Sequence, residues 1–319
     1  MKPFLLKAPC KDYLWGGNRL REFGKVSDAE RIAESWELSC HPDGESVIAS
    51  GEFSGMTLPA FLQQFPAALG KNCDRFERFP VLIKLIDARE NLSVQVHPDD
   101  AYALAHEGEL GKTEIWYIID ADPGAEILYG VQEPMTPDEL RRSIGENTIL
   151  GKLRHVPVKP GEVYFIPAGT LHAIGRGCLI AEIQENSNTT YRVYDYDRGR
   201  ELHIAKALDV ARLTPAERQP LSAPARIDGW RVQHLDDCAY FYVSLWEPED
   251  ASPKTWRFGG DTESFVHILV LDGHGTVTMS DGEQLPLQKG SSLFIPAGAE
   301  PGSITGEMRF ISSDIYTTR

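Results

Sequence analysis

Short apolar runs recur along the chain and are broken at close intervals by Gly, Pro and Asp. Val, Ile, Tyr and Phe dominate these runs, a composition that suits strands better than helices. The pattern predicts a mainly β chain built as a sandwich or barrel. Helical patterns are few. Thr57-Leu-Pro-Ala-Phe-Leu-Gln-Gln-Phe65 opens on a capping Thr, carries Pro in its first turn and repeats apolar residues at 58, 61, 62 and 65. Thr136-Pro-Asp-Glu-Leu140 begins the same way. Residues 201–211 place apolar side chains at 204, 205, 208 and 211, one helical stripe. The segment 215–224 holds three prolines and reads as a linker. Strands resume from about Arg231.

One unit occurs twice. Lys159-Pro-Gly-Glu-Val-Tyr-Phe-Ile-Pro-Ala-Gly-Thr-Leu-His172 resembles Gln288-Lys-Gly-Ser-Ser-Leu-Phe-Ile-Pro-Ala-Gly-Ala-Glu-Pro301. Both read G-x5-P-x-G: a turn glycine, an apolar strand, then a second turn that needs Gly for positive φ and Pro for a preset φ. Another strand precedes each copy, Glu114-Ile-Trp-Tyr-Ile-Ile and Phe265-Val-His-Ile-Leu-Val-Leu-Asp-Gly. Two such units predict two related β-barrels, divided as residues 1–220 and 221–319. Where the first copy has Glu114 and His172, the second has Phe265 and Pro301. The candidate chemistry therefore belongs to the first barrel.

The segment Asn91-Leu-Ser-Val-Gln-Val-His-Pro-Asp-Asp100 alternates Ser93, Gln95 and His97 with Leu92, Val94 and Val96. In a strand these polar side chains share one face, directed into a barrel mouth, and the apolar ones pack behind. Two imidazoles and a carboxylate, His97, His172 and Glu114, suit a divalent first-row metal, with zinc the default and one position left open. The amide oxygen of Gln95 is a feasible fourth ligand. Lys84 interrupts the apolar run Val81–Ile86, where an unpaired buried ammonium is costly. Arg192 lies in Tyr-Arg-Val-Tyr-Asp-Tyr-Asp-Arg, whose alternation equally allows a solvated face. Trp36 and Trp116 read as core.

The run Val81–Asp100, with Lys84, Gln95 and His97 in order, resembles the metal strand of type I mannose-6-phosphate isomerases. Leu-Trp-Gly-Gly near the start, Ile-Ala-Glu-Ser-Trp-Glu-Leu-Ser at 32–39, Phe-Ile-Pro-Ala-Gly-Thr-Leu-His and Glu182-Ile-Gln-Glu-Asn-Ser-Asn-Thr-Thr-Tyr-Arg192 agree with it. The motif ending at His172 resembles the second cupin motif. The resemblance implies two cupin-like barrels of jelly-roll type with a few helices. It implies one Zn2+ per chain on Gln95, His97, Glu114 and His172. It further implies a catalytic Arg192, active-site lysines Lys84 and Lys112, and an acidic Glu182 deep in the pocket. The implied reaction interconverts mannose 6-phosphate and fructose 6-phosphate by proton transfer between C1 and C2 through an enediolate. Long family members carry Tyr-x-Asp-x-Asn-His-Lys-Pro-Glu around the glutamate ligand. Here only Gly-Lys-Thr-Glu114 remains, which marks the compact bacterial or archaeal form.

Composition narrows the partners. The chain has 319 residues and a net charge of −15, which repels nucleic acid. No run approaches the roughly 20 apolar residues that span a bilayer. Five cysteines without a CxxC pair suit reduced thiols and a cytoplasmic protein. The expected partner is a small sugar phosphate, and the expected assembly is a monomer or homodimer. Two other classes are compatible with a bicupin frame: a non-haem metal dioxygenase and a non-catalytic sugar-binding cupin. Gln95 beside His97 argues against the first. The joint presence of Lys112, Glu182 and Arg192 argues against the second.

Overall fold

The computed structural model describes residues 1–316, so residues 317–319 of the expected C-terminal domain lie outside the described residues. The chain is mainly β, with four α-helices among the described residues. The strands form three antiparallel sheets of ten, six and five.

The six-stranded sheet runs in the order 163–166, 114–121, 178–185, 81–87, 34–38 and 10–11. It is buried on both faces, and period-2 alternation sorts its side chains. Val81, Ile83, Leu85, Ile115, Tyr117, Ala181 and Ile183 share one core with Val243, Leu245 and Ile311 of the ten-stranded sheet. Ile86, Trp116, Ile118 and Ile180 point the other way. They pack with Ile127, Tyr129 and Ile174 of the five-stranded sheet, whose order is 191–194, 94–96, 172–174, 126–131 and 153–157. The six-stranded sheet is thus the middle layer. Lys84, Glu114 and Glu182 fall on its face toward the five-stranded sheet, in step with Ile86, Trp116 and Ile180.

The expected pair of cupin-like barrels of jelly-roll type is present as sheets and not as closed barrels. The ladders form open sheets, and the reason lies in long-range pairing that a local turn motif does not specify. Strand Ser292–Ile295 pairs with Val266–Leu269 on one side and with Phe4–Leu6, from the far end of the chain, on the other. The second unit therefore takes the N-terminal strand rather than closing on itself. Residues 211–224, which contain the predicted linker, form neither helix nor strand.

The repeated turn is built as its sequence requires. Gly161, Gly169, Gly290 and Gly298 have φ of 87°, 89°, 82° and 66°. The predicted helices form at Leu58–Gln64, Pro137–Gly145 and Ile204–Val210. Thr57 caps the first, and Thr136 with Glu139 forms a full capping box on the second. An unpredicted helix, Asp100–His106, starts at Asp99, whose side chain accepts the Tyr102 N–H.

Candidate active site

A cavity of about 280 Å³ opens between the six- and five-stranded sheets, lined by Lys84, Gln95, Lys112, Glu182, Arg192 and Arg200 among others. Two registers place its chemistry. In the six-stranded sheet Glu182 lies directly opposite Lys84, and Gln184 opposite Glu114. In the five-stranded sheet Gln95 is flanked by His172 on one side and Arg192 on the other. His97 follows immediately after strand Val94–Val96. It is fixed by the repeated turn itself, because Gly169 N–H donates to the His97 carbonyl at 2.8 Å.

His97, Glu114 and His172 converge, with one potential ligand atom from each lying within 4.8 Å of the others. His97 Nε2 is 3.7 Å and His172 Nε2 3.2 Å from the Glu114 carboxylate. His97 Nδ1 lies 2.9 Å from the Thr189 carbonyl, and His172 Nδ1 lies 2.8 Å from the Thr170 carbonyl. A carbonyl can only accept, so each Nδ1 carries the proton and each Nε2 offers a lone pair. His97 Nε2 and both Glu114 oxygens are buried without a hydrogen bond of good geometry. Lys112 Nζ does stand 3.0 Å from Glu114 as an ion pair. Orphaned buried acceptors facing one point fit a cation. Gln95 turns its amide nitrogen to His172 Nε2 at 3.3 Å. Offering its oxygen requires the amide to turn over.

Around these three residues lies a buried network of charge. Lys84 Nζ is 3.5 Å from Glu182 and 3.7 Å from Glu34, and it sits over the Trp36 ring. Lys112 Nζ is 3.8 Å from Glu182. Trp116 Nε1 donates to Glu182 at 2.9 Å, and Trp36 Nε1 donates to Glu34 at 2.7 Å. Both indoles are fully buried walls that also aim carboxylates. Burial presses both imidazoles toward their neutral forms, His172 down to about 4. Burial, then the Glu182 charge, raises Glu114 to about 7. Burial also opposes ionisation of Glu182, but Lys112 and Lys84 outweigh it and hold that carboxyl below its usual range. Lys112 is raised: burial acts against its charge, and Glu114 and Glu182 overcome it.

Arg192 reaches the cavity rim with Nε 3.3 Å from Ser93 Oγ and Nη1 3.0 Å from the Glu201 carbonyl. Burial and then Arg200 lower its pKa. Arg198 is turned away from the cavity: Nη1 donates to the Asn91 carbonyl at 2.7 Å, and the guanidinium covers Tyr196. Arg200 lines the cavity instead and pairs with Asp195. Leu92 also departs from expectation. It lines the cavity rather than packing behind, because the strand begins only at Val94. Glu34, Asn188 and Tyr13 join the lining without having been singled out. For Glu34 the signal was present, since it alternates with Trp36 in Ala33–Ser39.

Residues 4–118 match the family model "Phosphomannose isomerase type I, catalytic domain", and residues 232–315 match "Mannose-6-phosphate isomerase, cupin domain". A Streptococcus mutans protein named mannose-6-phosphate isomerase is 40% identical over 98% of both chains. The chain belongs to the type I phosphomannose isomerase family. A crystal structure of mannose 6-phosphate isomerase from Bacillus subtilis superposes with a TM-score of 0.90 at 37% identity, covering 98% of this chain and 99% of that one. A putative mannosephosphate isomerase from Archaeoglobus fulgidus shares the fold, with a TM-score of 0.76 at 20% identity over 99% of this chain and 98% of the other. Family membership and the cavity coincide: Lys84, Gln95, His97, Lys112 and Glu114 all lie in the matched catalytic segment.

Proposed function

We propose that the chain interconverts mannose 6-phosphate and fructose 6-phosphate, using one Zn2+ held by Gln95, His97, Glu114 and His172. The observation that carries this reading is the pair of tautomer-fixed Nε2 atoms facing the buried Glu114 carboxylate, beside Gln95 and Lys112 of the cavity lining. When bound, the ion supplies a Lewis acid that stabilises negative charge on the sugar oxygens, worth several kcal/mol. The residues of the chain supply the rest. Residues 1–220 form the catalytic domain and 221–319 a second cupin domain without ligands. No helix among the described residues is long and apolar enough to cross a membrane, and the five cysteines are free, which suits the cytoplasm.

The barrier to isomerisation lies in moving a proton between C1 and C2 through an enediolate. Lys112 is fully buried and stays charged, so its ammonium is a fixed donor toward oxygen atoms that gain charge. Arg192 acts from the opposite sheet. Among the described residues only two of its N–H groups are engaged, on Ser93 and the Glu201 carbonyl, and the others remain for the substrate. Glu182 is ionised and faces the cavity, so it can accept the carbon-bound proton. Its lowered pKa makes it a weak base, and lowering the barrier then falls chiefly on the surrounding positive field. Phosphate recognition is assigned to Arg192 and Arg200 at the rim, as a guanidinium matches phosphate in charge and shape.

Turnover of fructose 6-phosphate in D2O tests the proton path. Deuterium at C2 of the mannose 6-phosphate formed is the expected result. Full turnover with no deuterium would point to a hydride shift. No turnover by the zinc-loaded protein would overturn the proposed activity.

A further inference from the structure

The strand that carries Arg192, Tyr191–Tyr194, is the edge of its sheet, paired on one side only, with Val94–Val96. An edge residue leaves backbone groups unpaired unless another segment covers them. At Arg192 residues 201–203 do so. His203 N–H donates to the Arg192 carbonyl at 2.8 Å, and Arg192 N–H donates to His203 Nδ1 at 3.2 Å. The same segment holds the side chain, through Arg192 Nη1 and the Glu201 carbonyl at 3.0 Å. His203 is the residue that precedes helix Ile204–Val210, yet its side chain makes no capping bond there. Its imidazole is committed to Arg192 instead.

We propose that His203 is a positioning residue: its neutral Nδ1 fixes the backbone of Arg192 and so the direction in which the guanidinium enters the cavity. The inference rests on the reading that Arg192 acts on the substrate. Nδ1 accepts an N–H, so it must be unprotonated, with the proton on Nε2. Protonating Nδ1 sets two N–H groups against each other and releases the clamp. The imidazole is partly buried, which lowers its pKa. Glu201 works against that, Arg192 and Lys206 add to it, Glu107 opposes it, and the Tyr191 ring lies beside it. The clamp therefore holds at neutral pH and opens on acidification.

The test compares His203→Ala, His203→Asn and Arg192→Ala as metal-loaded proteins. It reads kcat, KM, metal content and the pH profile of kcat/KM with mannose 6-phosphate. Asn Oδ1 can stand where His Nδ1 stands and accept the same N–H without titrating. His203→Ala is expected to lose roughly tenfold in kcat/KM, the scale of one hydrogen bond, while keeping its metal. His203→Asn is expected to recover most of that loss and to hold its activity further into acid than the unaltered chain. Full activity in His203→Ala overturns the proposal. So does a His203→Asn variant that is as impaired as His203→Ala, or whose acid limb is unchanged. Normal turnover in Arg192→Ala is a different failure, because it removes the role of the arginine itself.

Discussion

The two strand–turn units share their turn and differ in what their strands enclose. The first buries Lys84, Lys112, Glu114, His172 and Glu182 between two sheets. The second, at matching places, has Phe265 and Pro301, and among its described residues the buried polar side chains are mainly serines, with Gln233 and His267. The one histidine buried among its described residues, His267, meets Ser292 Oγ at 2.8 Å, and that hydroxyl donates to the Glu37 carbonyl. The backbone pattern thus specifies a strand and a turn. The alternating side chains decide whether the enclosed face holds charge or hydrocarbon. Burying several charges is tolerable in the first unit because each ion has partners, at a cost that hydrocarbon packing does not carry.

The comparison can be pressed hardest at its charged side. Lys112→Met should lower kcat by roughly 10²- to 10³-fold, the usual loss on removing one preorganised donor, with metal content retained. Steady-state assay beside metal analysis checks it. Glu182→Gln should destabilise the fold by about 3 kcal/mol, since it leaves Lys84 and Lys112 short of a buried partner. Urea unfolding measures this, and an unchanged midpoint would show that the network carries no stability. The shared turn offers a matched pair. At Gly298 an added Cβ has room, with Thr262 Cγ2 at 3.8 Å, so Gly298→Ala should cost only the positive φ, about 1 kcal/mol. At Gly169 it meets the Val210 carbonyl at 2.9 Å and Arg212 Cγ at 2.8 Å, so Gly169→Ala should cost clearly more and also disturb His97. Equal losses would mean that the two turns are not differently constrained.

The last effect depends on pH and belongs to the apolar unit. Burial pushes His267 down to about 3, against about 6.5 when unfolded. The unfolded chain binds the extra proton between those values. Its contribution is therefore complete above pH 6.5 and is lost as pH falls toward 3, by at most about 1.4 kcal/mol per unit. His267→Gln should flatten that part of the acid slope in unfolding experiments at pH 7 and pH 5. An identical slope in the variant would contradict the assignment.

Much of the site was legible because it is local. Gln95 and His97 were visible in a short polar–apolar alternation. His172 stood at the end of a turn motif that physically clasps His97, and Lys84 broke an apolar strand as only a paired lysine can. What could not be read depended on distant chain segments. Nothing near residue 292 announces that its strand pairs with residues 4–6. Arg198 and Arg200 are two residues apart, and Asn91 and Asp195 decide which of them faces the cavity. The helix at Asp100–His106 carries a start signal in its Asp99 cap, which Pro98, ending the strand just before it, obscures.

The central claim places one metal-dependent reaction centre in the first unit and none in the second. Zinc content and mannose 6-phosphate turnover, measured on the same samples of the unaltered chain, His97→Ala and His172→Ala, test it most directly. The account predicts about one zinc per unaltered chain, removable by chelation together with activity and restored with it, and neither zinc nor turnover in the two variants. Full turnover after chelation, or zinc retained at one per chain in both variants, would contradict it.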